Sequence, residues 1–146
     1  MHTLQDELTL AVKDNNTDVV KLLLTDSKVD PSVNNNCAIK WASENGHVDV
    51  VKLLLDDDRV DPADDNNYAM WRSSENGHID VVKLLLEGGR VNPAANNNCA
   101  IKWASRNGYA DIVKLLLADD RVDPSAGDNY VIKWASRHGH INIVKL

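Results

Sequence analysis

The stretch Gly46-His47-Val48-Asp49-Val50-Val51-Lys52-Leu53-Leu54-Leu55 reads, from Val48 onward, as a helix that cannot stand alone. Wound as an α-helix, it spreads Val50, Val51, Leu53, Leu54 and Leu55 over a wide apolar arc and leaves only Asp49 and Lys52 outside. An arc that wide needs neighbours on both flanks. The same stretch returns from Gly77 and, with Tyr109 replacing the histidine, from Gly108, a spacing of 77 − 46 = 108 − 77 = 31 residues. Val29-Asp30-Pro31, Val60-Asp61-Pro62, Val91-Asn92-Pro93 and Val122-Asp123-Pro124 keep the same step. A period of this size is one small helical unit that cannot bury its apolar face by itself, so the copies must stack into a continuous core.

Working outward, Cys37 to Asn45 precedes Gly46, a residue suited to the left-handed position just past a helix end. This predicts a first helix in each copy, with Asn35 or Asn36 as its N-cap. After the second helix, a run rich in Asp, Asn and Pro predicts turns and an extended finger leading to the next copy. Asp49 with Lys52, and the equivalent Asp18–Lys21, Asp80–Lys83 and Asp111–Lys114, have the spacing of surface pairs, each contributing about 0.2–0.5 kcal/mol. At the start, Thr3-Leu4-Gln5-Asp6 has the spacing of a capping box, and a more polar first helix suits a terminal cap. The units expected are 1–28 as cap, 29–59, 60–90, 91–121 and an incomplete 122–146. Ile141, Ile143, Val144 and Leu146 are expected to be exposed at that last end.

Composition narrows the function classes. The 146 residues are 43% hydrophobic and 26% charged, with a formal charge of −6, the range of an ordinary folded domain. No basic stripe marks a nucleic-acid binder. No run reaches the roughly 18 apolar residues of a membrane span, and the start lacks the pattern of a secretory signal, so a cytoplasmic location is expected. Cys37 and Cys99 occupy one slot in alternate copies, two layers apart, and are expected to be free thiols.

The copy resembles the ankyrin repeat. Gly46 to Leu55 is very close to that family's Gly-His-Leu-Glu-Val-Val-Lys-Leu-Leu-Leu helix. The family's Thr-Pro-Leu-His opening is replaced by Cys37-Ala38-Ile39-Lys40 or Tyr68-Ala69-Met70-Trp71, and the copy is shorter than the usual length of about 33 residues. Such short, Asn-rich copies are similar to arrays of large DNA viruses and protists. The resemblance implies an all-α solenoid of stacked helix-turn-helix units with short β-turn fingers. It also implies a protein-binding role on the concave side, which the first helices line, and a structural use of His47, His78 and His140.

On the first helix, Ala38, Ile39, Ala42 and Ser43 fall on one packing face, and Trp41 borders the outward side. Trp103 and Trp134 repeat the Trp41 slot, while the third copy places Trp71 in the lysine slot and Arg72 in the tryptophan slot. Trp41, Arg72, Trp103 and Trp134 therefore form a candidate partner-binding ladder, since Trp and Arg most often anchor interfaces. The plainer alternative is that Arg72 stacks on Trp41 or Trp103 merely to bridge copies. Beside the ladder the charge changes sign, from Glu44 and Glu75 to Arg106 and Arg137, which would orient a partner. No catalytic constellation is visible. Ser43, Ser73, Ser74, Ser105 and Ser136 fall in small-residue slots without a base in register, and histidines one layer apart do not converge as zinc ligands must. The expectation is a non-catalytic module without cofactor or metal that binds a protein partner. The alternative is an architectural spacer that associates weakly with itself through the open C-terminal end.

Overall fold

The computed structural model describes residues 1–146 as ten α-helices and no strand. In chain order they are α1 (Leu4–Lys13), α2 (Thr17–Leu24), α3 (Val33–Glu44), α4 (Val48–Leu55), α5 (Asp64–Glu75), α6 (Ile79–Glu87), α7 (Ala95–Asn107), α8 (Ala110–Leu117), α9 (Ala126–Arg137) and α10 (Ile141–Val144). The odd-numbered helices pack side by side in one layer, and the even-numbered ones pack behind them in a second. Between the layers runs one core of 28 buried apolar residues. Ile39, Met70 and Ile101 enter it from the first helices, and Val50, Val51 and Leu54 with their equivalents enter it from the second. Each fully buried side chain of this size contributes about 1.5–3 kcal/mol, most of it available only when neighbouring units are present.

The helix ends follow local chemistry. At α1, the Thr3 hydroxyl accepts the Asp6 N–H at 3.1 Å while the Asp6 carboxylate accepts the Thr3 N–H at 2.9 Å, completing the expected capping box. Gly77, which follows α5, sits at φ 80°, and a Cβ there would stand 2.7 Å from the Tyr109 ring of the next unit. Glycine is thus required twice over, by its dihedral and by the close approach. His78 closes over Gly46 in the same way, and its Nε2 donates to the Glu44 carbonyl at 2.9 Å. The amides of Asn76 and Asn107 donate to the Glu44 and Glu75 carbonyls at 2.8 Å. The last carbonyls of a helix lack partners within it, and here the following unit supplies them.

The connector differs from the extended finger expected from the sequence. Asn34-Asn35-Asn36, Asp65-Asn66-Asn67, Asn96-Asn97-Asn98 and Gly127-Asp128-Asn129 each form one left-handed turn, with every φ between 51° and 64°. This conformation pushes Cβ against the following carbonyl oxygen, and Gly, Asn and Asp are the residues that visit it most readily. All twelve positions carry one of those three types. The Asn-rich composition is therefore a steric requirement of the turn. Neither Asn35 nor Asn36 acts as an N-cap, because α3 has no side-chain cap bond.

The third residue of each turn reaches the next unit instead. Asn36 Oδ1 accepts the Asp61 N–H at 2.7 Å, Asn67 Oδ1 the Asn92 N–H at 2.7 Å, and Asn98 Oδ1 the Asp123 N–H at 3.1 Å. In the first unit Gln5 does the same for the Asp30 N–H at 2.9 Å. A second ladder runs beside it, in which Arg59, Arg90 and Arg121 donate to the carbonyls of Val29, Val60 and Val91 at 2.7, 2.7 and 3.1 Å. Asp57 and Asp119 hold two of these arginines, and those side-chain hydrogen bonds keep both carboxyls below the ordinary value of 3.8.

Two smaller expectations change. Of the four Asp–Lys surface pairs, only Asp80–Lys83 closes, at 3.7 Å, as befits long side chains whose pairing in water gains little. At the C-terminal end Ile141, Val144 and Leu146 are exposed as expected, but Ile143 is only 5% exposed because it turns inward onto the core.

Candidate partner-binding surface

Helices α3, α5, α7 and α9 bring Trp41, Arg72, Trp103 and Trp134 onto one layer, one per unit. Trp41 is 40% exposed, and Arg72, Trp103 and Trp134 are half-buried. Each indole is steadied by a cation. Lys13 Nζ lies 5.3 Å from the Trp41 ring, the Arg106 guanidinium lies 4.9 Å from Trp103 and 5.0 Å from Trp134, and the Arg137 guanidinium lies 5.6 Å from Trp134. Such contacts contribute about 0.5–1 kcal/mol at exposed sites and fix the ring without covering it. His138 adds a stacked contact to Trp134 at 4.8 Å.

Arg72 behaves differently from the stacking expected of it. Its guanidinium lies over Trp71 at 4.9 Å and Tyr68 at 5.7 Å, both on its own helix, and not over Trp41 or Trp103. It pairs with Glu44 of the preceding unit and Glu75 of its own, each at 2.5 Å. The Tyr68 hydroxyl donates to Glu44 at 2.9 Å; burial, then that bond, raises its pKa and keeps it a protonated donor. The physical reason is register: an arginine in the tryptophan slot falls between the acids of two successive layers. Two carboxylates and one guanidinium leave this patch with one net negative charge, so the acidic end is weaker than Glu44 and Glu75 alone suggest. Arg106 and Arg137 are exposed, and the arginine ion pairs of the molecule are made by Arg59, Arg72 and Arg121.

The Glu44–Arg72–Glu75 clamp and the Tyr68 bond are the features that the sequence reading missed. The reversed order Trp71-Arg72 was the available signal, since it moves a cation three residues from Glu75.

Several of the groups with reactive side chains have structural partners. Ser43, Ser73, Ser74 and Ser105 are buried, and the hydroxyls of Ser74 and Ser105 donate to the Met70 and Ile101 carbonyls at 2.8 and 2.7 Å. Cys37 and Cys99 are free thiols, and burial raises the pKa of Cys99, which disfavours its nucleophilic form. His47 and His140 bind carbonyls of the preceding units, Val12 at 3.0 Å and Arg106 at 2.9 Å. No group of three or more His, Cys, Asp or Glu side chains is arranged to hold a metal ion. No helix is long and apolar enough to cross a membrane.

A two-layer stack of helix pairs, joined unit to unit by side-chain ladders, defines the class: an α-helical repeat solenoid. A family model described as ankyrin repeats (3 copies) matches residues 5–66, 57–128 and 73–146. The chain belongs to the ankyrin repeat family. The crystal structure of EF0377, an ankyrin repeat protein, is similar to it with a TM-score of 0.83 and 26% sequence identity, covering 99% of this chain and 84% of that one. Comparison with curated proteins gives no match.

Proposed function

We propose that this chain is a non-catalytic interaction module that holds a protein or peptide partner against its concave, first-helix face. Ankyrin repeats are generally protein-interaction modules, and that general role supports the reading. The observation that carries it is Trp41, a large aromatic left 40% exposed beside the half-buried Trp103 and Trp134. Aromatics held by their own scaffold and still open to solvent are what interface anchors require. Arg106 and Arg137 supply charge beside them, while Arg72, Glu44 and Glu75 form a rigid frame between Trp41 and Trp103.

The test is affinity capture from the source cell's lysate with the intact chain and with a variant carrying Trp41→Ala, Trp103→Ala and Trp134→Ala, its fold verified by circular dichroism. A partner held by the first and lost by the second supports the reading. Equal retention moves the site elsewhere.

A second reading, a spacer that associates with itself, draws on the exposed Ile132, Val144 and Leu146 around a groove floored by Val113 and Leu117, and on Ile141, exposed on the same short helix as Val144. An apolar face of this kind favours association. Light scattering separates the two, since self-association makes the measured mass rise with concentration and Ile141→Asp should abolish the rise.

A further inference from the structure

We infer that the α7–α9 part of this face receives an acidic peptide segment, whose Asp or Glu carboxylates pair with Arg106 and Arg137. The inference rests on the interaction-module reading and adds the chemistry of the partner. Its first ground is an internal comparison. At Arg72 the molecule shows what an arginine on this face takes when acids are in reach: one carboxylate from the preceding layer and one from its own, each at 2.5 Å. The slot that holds Glu44 and Glu75 in the second and third units holds Arg106 and Arg137 in the fourth and fifth. The charge pattern is thus inverted, and the two guanidiniums flank the Trp134 indole at 5.0 and 5.6 Å.

The second ground is complementarity. Within a chain of formal charge −6, α7 carries Lys102 and Arg106 and no acid, so this end of the face is a cationic island. Lys102 lies over the Tyr130 ring at 5.5 Å, again placed by an aromatic. On α9, Asp128 is paired with Lys133 at 3.1 Å, which leaves Arg137 as the free charge of that helix. Planar guanidiniums fixed on aromatic rings present their N–H forks without the ordering cost of a mobile side chain, and a carboxylate fits that fork in two-point contact. An acidic segment running along the stack would meet Arg106 and then Arg137, with the Trp134 edge between them for an apolar side chain.

The experiment is selection of peptides from a random decapeptide display library by the intact chain. The chain is compared with Arg106→Glu/Arg137→Glu, Arg106→Lys/Arg137→Lys and the triple tryptophan-to-alanine variant, all shown to be folded by circular dichroism. The expected result is a wild-type pool enriched in Asp and Glu. Its best member should lose at least about tenfold in affinity on charge reversal, lose less with lysine, and weaken with added salt. Any of several outcomes overturns the inference. One is a pool no more acidic than the library, and another is acidic peptides bound equally by the charge-reversed variant. A third is binding of a single-stranded RNA oligonucleotide, lost on charge reversal, with no acidic peptide bound. Selection of non-acidic peptides that the triple tryptophan variant fails to hold would sink the acidic partner and leave the module reading standing. If no variant selects any peptide, both fall.

Discussion

Replacing Asn67 by alanine tests the structural claim on which the stack depends. Asn67 ends the left-handed turn of α5 at φ 61°, is 9% exposed, and accepts the Asn92 N–H at 2.7 Å across the unit boundary. Alanine removes the acceptor, which costs about 1–2 kcal/mol because the N–H is only partly shielded from water. It also places an ordinary L-residue in the left-handed region, a further cost of about 1 kcal/mol. Asn67→Ala should therefore lose about 2–3 kcal/mol, on the order of a fifth to a half of the stability of a small domain. The assay is urea unfolding followed by far-ultraviolet circular dichroism. Asn67→Asp, which keeps both the acceptor and the turn preference, should lose much less. A loss below about 0.5 kcal/mol for Asn67→Ala, within the range of an unremarkable surface change, would refute the reasoning.

Further consequences can be measured on the same folded chain. Gly77→Ala sets a Cβ 2.7 Å from the Tyr109 ring at φ 80° and should cost about 2 kcal/mol or more in the same unfolding assay, with part of the loss recovered when Tyr109 is also changed to alanine. Arg72→Ala strands Glu44 and Glu75 at a half-buried site, and should lower the midpoint of thermal unfolding by the equivalent of about 1–2 kcal/mol. Asp57, Asp64 and Asp119 all have depressed pKa values, caused first by side-chain hydrogen bonds to Arg59, Asn36 and Arg121. Groups depressed in the folded state stabilise above their ordinary value of 3.8 and lose that contribution as pH falls through the folded value. Unfolding followed against pH should therefore show stability falling below about pH 4, with the fall reduced in Asp57→Asn and Asp119→Asn.

What the sequence made legible was whatever one unit declares by itself. The arc of Val50, Val51 and Leu54, the Thr3–Asp6 box and the glycine after α3, α5, α7 and α9 are local signals, and the helices and core follow from them. What escaped depends on how two units sit together. Asn36, read as a cap for its own helix, bonds to Asp61 of the next unit, and nothing in its local neighbourhood specifies that contact. The left-handed turns were written in residue type, since only Gly, Asn and Asp occupy them, but the same residues are equally suited to ordinary turns. At the candidate site, the Trp41 slot was placed on the outward border by helical geometry alone. The pairing of Arg72 with Glu44 was hidden because it joins residues from successive layers.

The central claim, that the partner lies on the first-helix face, is tested most directly by chemical-shift mapping of the isotope-labelled chain with the captured partner or selected peptide. The indole N–H signals of Trp41, Trp103 and Trp134 should move, together with backbone signals of α3, α7 and α9. Shifts confined to α2, α4, α6 and α8, with the three indole signals unmoved, would contradict it.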